Sequence, residues 1–151
     1  MEVINMNYEI VNLEKKIVVG VSAVTSNMDP KMGEIIGGLW EKLYQGGVNE
    51  AIKNKVNDYA IGLYSDYSNE QYCVTAGNEV SKCENDELTV KIIPAGKYAK
   101  FSVHGHMEKA VSKAWEEIWN MDLDRSFTGD FEEYLNSSWD NADIDIYIAL
   151  K

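Results

Sequence analysis

Apolar positions along the chain follow two different periods. Met32, Ile35, Ile36, Leu39, Trp40 and Leu43 recur at helical spacing, the stripe of a helix lying on a sheet. Val111, Ala114, Trp115, Ile118 and Trp119 form a second such stripe. Around these stripes lie short apolar or alternating runs that predict strands: Tyr8–Leu13, Ile17–Thr25, Tyr59–Tyr64, Gln71–Val80, Leu88–Ile93, Lys97–Val103, Phe131–Asn136 and Asp143–Leu150. In the last of them Ile144, Ile146, Ile148 and Leu150 alternate with Asp145, Tyr147 and Ala149, so one face is expected to be packed and the other less apolar.

The polar segments between these runs supply the punctuation. Asn27-Met28-Asp29-Pro30 stops a strand and opens the first helix, with Asp29 as expected N-cap and Pro30 at the first position. Gly46-Gly47 ends that helix, and Asp66-Tyr67-Ser68-Asn69-Glu70 is expected to turn a hairpin. Pro94-Ala95-Gly96 reads as a turn, His104-Gly105-His106 as the turn into the second helix, and residues 121–130 as a loop. The stretch Lys82-Cys83-Glu84-Asn85-Asp86-Glu87 has no apolar period and is the expected boundary between halves.

Those halves repeat each other. Gly38-Leu39-Trp40-Glu41-Lys42-Leu43 is echoed by Lys113-Ala114-Trp115-Glu116-Glu117-Ile118, and Tyr64 by Tyr134, at offsets of roughly 70 to 80 positions. The expected fold is α+β: one domain over 1–151, built from tandem pseudo-symmetric β-α-β-β modules at about 1–82 and 88–151. A module that cannot bury its sheet alone pairs with its twin, giving an antiparallel sheet with two helices flanking a central groove.

Composition narrows the partners. The 151 residues, with 45% hydrophobic and 11% aromatic side chains, suffice for a sizeable core. A net charge of −11 and a single Arg, Arg125, argue against nucleic acid as a direct partner. No apolar run is long enough to span a membrane, and Met1-Glu2-Val3-Ile4-Asn5 does not open a signal peptide. The expected location is the cytoplasm, as a monomer or homodimer, with Cys73 and Cys83 reduced.

Strand parity then selects a site. Along Asp130-Phe131-Glu132-Glu133-Tyr134-Leu135, Phe131 and Leu135 point to one face and Glu132 and Tyr134 to the other. If Phe131 and Leu135 pack under a helix, Glu132 and Tyr134 face the groove. In the first half Ile61 and Leu63 take the packed side and Tyr64 the groove side. A carboxylate among aromatic faces suits a flat organic cation, through cation–π attraction and neutralisation of a charge that is costly to bury. The alternative is Glu132 on a solvated sheet face with Tyr134 as a packing residue. Trp40, Trp115 and Trp119 are expected in the helix–sheet core, with Trp40 and Trp115 able to reach the cleft. Met28 and Met32 read as filler.

Other constellations are weaker. His104 and His106 have no evident third ligand, so neither a metal nor a cofactor is expected. Ser102, His104 and Asp130 invite a triad reading, but no nucleophile elbow supports it.

In order and spacing, Tyr8-Glu9-Ile10-Val11, Val18-Val19-Gly20, Gly38-Leu39-Trp40, Ile61-Gly62-Leu63-Tyr64, Ile93-Pro94-Ala95-Gly96-Lys97-Tyr98-Ala99 and Asp130-Phe131-Glu132-Glu133-Tyr134 resemble the bacterial GyrI-like (SHS2-type) small-molecule-binding domain. This is the effector-binding domain of AraC- and MerR-type multidrug regulators. The resemblance implies an aromatic-lined pocket between two helices that takes hydrophobic, often cationic compounds. It carries Glu132 over as the pocket acid, with Tyr134 beside it and Glu133 as the neighbouring alternative; Tyr64, Trp40, Trp115 and Tyr147 are the further ligand contacts expected. Many relatives attach this domain to a DNA-binding helix-turn-helix; here the two modules take up the 151 residues, so a stand-alone module for sensing or sequestering drugs is expected. Two other activities known among such domains stay open: hydrolysis of reactive cyclopropane-type toxins with Glu132 and Tyr134 as catalytic groups, and a gyrase-inhibitor-like protein contact.

Overall fold

Eight strands form one antiparallel sheet in the order β1-β6-β8-β7-β3-β4-β2-β5. They are β1 (Tyr8–Leu13), β2 (Lys16–Ser26), β3 (Lys55–Ser68), β4 (Gln71–Val80), β5 (Thr89–Ile93), β6 (Gly96–Gly105), β7 (Asp130–Tyr134) and β8 (Ala142–Ala149). Among the described residues three helices accompany them: α1 (Met32–Tyr44), α2 (Val48–Ala51) and α3 (Met107–Trp119). The computed structural model describes residues 7–68, 70–136, 138 and 140–151. Asn69 of the expected hairpin turn and the amino-terminal five residues read above lie outside the described residues.

The strand order carries the repeat. From the central β7/β3 seam outward, one side runs β3-β4-β2 and the other β7-β8-β6, each completed by α1 or α3, so both halves of the α+β fold share one sheet. One feature exceeds the expected β-α-β-β unit. β1 pairs with β6 of the second half, while β5 pairs with β2 of the first, so each half lends a strand to the other's outer edge.

Local chemistry shifts several boundaries. Asp29 does not cap α1; its Oδ1 accepts from the Lys31 amide at 2.8 Å, closing a turn ahead of a helix that starts at Met32. At α3, His106 is the N-cap and accepts from the Lys109 amide, while His104 belongs to β6. β3 starts at Lys55 and runs on to Ser68, well beyond the expected Tyr59–Tyr64 run at both ends.

Both helices pack on the same face of the sheet. Leu39 and Leu43 of α1 bury against Val19, Val74 and Ala76, and Ala114 and Ile118 of α3 against Phe101, Ile144, Ile146 and Ile148. Phe131, Ile61 and Leu63 are fully buried on the opposite face, with Val18, Ile93, Tyr98 and Tyr147. The expectation that Phe131 and Ile61 pack under the helices is therefore corrected. The sheet has two buried faces because it curls, bringing strands from both ends into one cluster on the far side. Gly20 and Gly77 face each other in β2 and β4. A Cβ on Gly20 would come within 2.0 Å of the Ala76 carbonyl oxygen, so this close approach admits no side chain. Among the described residues, no helix is long and apolar enough to cross a membrane.

Candidate functional site

Two parallel accidents of period meet at the centre of the sheet. β7 alternates Asp130, Glu132 and Tyr134 onto the helix side, and the β3 register sets Gly62 opposite Glu132, with Ala60 opposite Tyr134. Above this seam α1 and α3 enclose a cavity of about 1320 Å³, larger than the roughly 300–1,000 Å³ usual for drug-sized ligands.

The cavity walls are pairwise. Each α1 position that lines it has its α3 counterpart at the repeat's helix offset, from Met32 and Met107 through Trp40 and Trp115 to Tyr44 and Trp119. Each inner tryptophan meets the tyrosine of the opposite half edge-on. Trp40 lies 5.1 Å from Tyr134 at 79°, and Trp115 lies 5.4 Å from Tyr64 at 73°. These geometries place positive ring edges on negative faces. Trp40 continues outward to Tyr44, stacked at 6.2 Å, and Trp115 to Trp119 at 6.2 Å.

Glu132 sits at the floor, 2% exposed. Its Oε2 accepts from Trp115 Nε1 at 2.6 Å and from the Tyr64 hydroxyl at 3.1 Å. Oε1 accepts from the Tyr134 hydroxyl at 2.6 Å. Burial raises its pKa, and the three donors pull the other way without cancelling the effect. Among the described residues no cation contributes to that balance. Burial and the neighbouring carboxylate push Tyr64 and Tyr134 well above the usual phenol value, so both remain neutral donors. The result is a buried acid held in place by three hydrogen bonds, inside an aromatic ring of faces.

Of the residues singled out in the sequence, Glu132, Tyr134, Tyr64, Trp40 and Trp115 come together on this cavity. Tyr147 does not. It stacks on Phe131 at 4.5 Å on the far face of the sheet, because β8 parity sends it opposite to Ile146. Glu133 also points away, where burial raises its pKa and Lys16 lies close enough to oppose the shift. Trp119 leaves the core role expected of it: 55% exposed, it stands at the mouth. The serine triad dissolves, since Ser102 bonds Asp145, His104 pairs with Asp143, and Asp130 binds Arg125 and Tyr67. Among the described residues no cluster of three His, Cys, Asp or Glu could hold a metal, and both cysteines are free.

Sequence reasoning missed Tyr44, Tyr67, Tyr72, Arg125 and Phe127, all on the cavity wall. The repeat offset that matched Trp40 with Trp115 also matches Tyr44 with Trp119, and was signal enough for that pair. Arg125 and Phe127 stand in the α3–β7 loop, where no period exists to read.

Comparison with known proteins accords with this geometry. A family model described as Cass2, integron-associated effector binding protein, matches residues 9–150. Among solved structures, the integron cassette protein VCH_CASS2 from the mobile metagenome of Vibrio cholerae is 29% identical, covers 95% of each chain and superposes with a TM-score of 0.76. SAV2435, solved bound to tetraphenylphosphonium, is 20% identical over 97% of this chain and 94% of its own, with a TM-score of 0.83. The EcmrR C-terminal domain shares the fold at 13% identity, over 98% of this chain and 99% of its own, with a TM-score of 0.58. No curated protein matches the chain.

Proposed function

We propose that this chain, which belongs to the Cass2 family of integron-associated effector binding proteins and so to the GyrI-like effector-binding fold, binds flat or globular lipophilic cations and serves to sense or sequester them. The observation that carries the reading is Glu132: a carboxylate 2% exposed, without a cationic partner among the described residues, at the floor of a large aromatic cavity. A ligand cation supplies the missing counter-charge, and the indole and phenol faces of Trp40, Trp115, Tyr64 and Tyr134 add cation–π attraction. That a family-fold neighbour was solved with tetraphenylphosphonium bound supports the choice of ligand class.

The same geometry favours holding a ligand over turning it over. Both Glu132 oxygens already accept hydrogen bonds, so the acid is a fixed charge rather than a base aimed at water. The cavity's size likewise favours a small molecule over a protein as occupant. Titration of the protein with tetraphenylphosphonium, followed by tryptophan fluorescence and thermal shift, tests the reading. Saturable binding with a rise in melting temperature is expected, and no binding at millimolar ligand would dismiss it.

A further inference from the structure

The pairwise symmetry of the cavity walls fails at one end, and the failure is chemical. There the long β3–β4 hairpin brings Tyr67 and Tyr72, and the α3–β7 loop brings Arg125 and Phe127. Among the described residues the corresponding α1–β3 segment gives the cavity only Gln45, next to the end of α1, and the β7–β8 connection gives it no lining residue. Among the described residues Arg125 is also the single basic side chain lining the cavity, against Glu41, Glu70, Glu108, Glu116 and Glu132.

Its setting is tightly built. Arg125 Nη2 donates to Asp130 Oδ2 at 2.6 Å, and the guanidinium carbon lies 4.3 Å from the Phe127 ring centroid. Asp130 is fully buried and saturated: Tyr67 donates to Oδ2 at 2.6 Å and the Ala149 amide to Oδ1 at 2.8 Å. The aspartate is therefore closed to a ligand, while Arg125 is not. Its side chain is 15% exposed on the cavity wall. Nε is itself buried without an acceptor, but a guanidinium has five N–H donors to place, and among the described residues only the Nη2 donation to Asp130 uses one of them. Phe127, whose ring lies under the guanidinium, holds φ at 56°, a left-handed conformation that a bulky residue adopts at a cost. It is 52% exposed and meets Tyr67 edge-on at 5.7 Å. Strain kept in an exposed aromatic at a cavity wall points to a role beyond folding.

We propose that Arg125 is the specificity contact of this cavity: its free N–H donors receive an uncharged oxygen acceptor, a carbonyl, ester or amide, on a cationic ligand whose charge lies at Glu132. This rests on the cation-binding reading of the same cavity. The acceptor is uncharged because the Arg125–Asp130 pair is already neutral, and a ligand carboxylate would sit beside a second buried carboxylate. The acceptor also fixes orientation, since a cation end turned toward Arg125 would meet like charge and leave Glu132 unmatched.

The test compares two permanent cations on the full chain: a rhodamine ethyl ester, which carries one ester carbonyl, and tetraphenylphosphonium, which carries no acceptor. Arg125→Met and Arg125→Lys are titrated beside the wild type, the lysine keeping a cation next to Asp130 should the methionine variant fail to fold. Loss of a charge-assisted hydrogen bond predicts about tenfold weaker binding of the ester and less than about twofold change for tetraphenylphosphonium. Equal losses for both ligands, or none for either, overturn the assignment while leaving the cation reading intact. Tighter wild-type binding of the free-acid rhodamine than of its ester overturns it too. Failure of both cations to bind the wild type removes the cation reading and the assignment with it.

Discussion

Gly62 stands directly across the β3/β7 seam from Glu132, and a Cβ there would lie 3.2 Å from Glu132 Oε1 and 3.1 Å from Trp40 Cζ2. The repeat that matches Tyr64 with Tyr134 also matches Gly62 with Glu132. At the β3/β7 seam the repeat therefore supplies the cavity floor with a pair of tyrosines, Tyr64 and Tyr134, but with one acid, and the side chain missing at Gly62 leaves the space which that acid and Trp40 fill. Gly62→Ala should crowd both at once, since Glu132 is held by three hydrogen bonds and Trp40 by its ring contacts. The expected cost is on the order of 1–3 kcal/mol of stability, the range for overpacking, with weaker binding of tetraphenylphosphonium. Calorimetric melting and titration of the variant check both, and an unchanged melting point with unchanged affinity would show that the seam has slack.

Glu132→Gln separates charge from shape. The amide keeps the volume and an accepting oxygen for Trp115 and a tyrosine, while the buried negative charge is gone. Stability without ligand is expected to stay level or rise, because the carboxylate is desolvated without a cation. Affinity for tetraphenylphosphonium should fall by about 1–3 kcal/mol, the span for a lost charge-assisted contact. Isothermal titration against wild type reads the difference; equal affinities would take Glu132 out of the site.

The pH dependence has a definite sign. Burial raises the Glu132 pKa in the folded state, so the folded chain holds this proton more tightly than the unfolded chain does. The group therefore favours folding fully when protonated, below the unfolded value near ~4.3, and that contribution is lost as pH rises through the higher folded value. Binding runs the other way. A permanent cation needs the ionised acid, so affinity for tetraphenylphosphonium should rise with pH across the same window, with proton release on binding. Glu132→Gln should flatten the profile; a wild-type profile already flat from pH 4 to 8 would contradict the raised pKa.

Much of this was legible in the chain, for reasons that differ by element. The two helical stripes, the repeat offset and the β7 parity were readable because each is a period, and periods survive in one dimension. They placed Glu132, Tyr134 and Tyr64 on one face. Tyr147 was misplaced because parity within β8 says which residues share a face, not which face meets the helices. That choice depends on sheet curl, which buries the Phe131 and Tyr147 side against strands from both edges. The exchange of β1 and β5 between halves was hidden as well, since an edge partner is set by tertiary pairing and leaves no mark in local sequence. Arg125 and Phe127 sit in an aperiodic loop, where function is carried by geometry that no stripe announces.

Tyr44 and Trp119 stand at the mouth of the cavity, each 55% exposed. Little stability depends on side chains so placed, so Tyr44→Ala and Trp119→Ala should alter unfolding free energy by less than about 0.5 kcal/mol. Both should still weaken a rhodamine by roughly 0.5–2 kcal/mol through lost ring contact and cation–π attraction. The contrast is with Trp40→Ala, which strips contacts from Tyr134 and Tyr44 together. Denaturant melts paired with fluorescence titration distinguish the two behaviours, and a mouth variant that unfolds early while binding normally would reverse the assignment.

Asp130 provides the strongest structural prediction because its burial is complete and its partners are of different kinds. Oδ1 holds the Ala149 amide of β8, and Oδ2 holds both Arg125 and Tyr67. One carboxylate thus ties the α3–β7 loop and the β3–β4 hairpin to the sheet at the asymmetric end of the cavity. Asp130→Asn leaves Arg125 as a charge 15% exposed with no counter-ion at bonding distance. Breaking one partner of a buried pair costs about 3–5 kcal/mol, and the variant should melt well below wild type. Adding Arg125→Met to Asp130→Asn removes the stranded charge and should recover part of that loss, a coupling that a double-mutant cycle measures directly. Additive losses would mean that the two side chains contribute independently, and that the loop is held by something other than this pair.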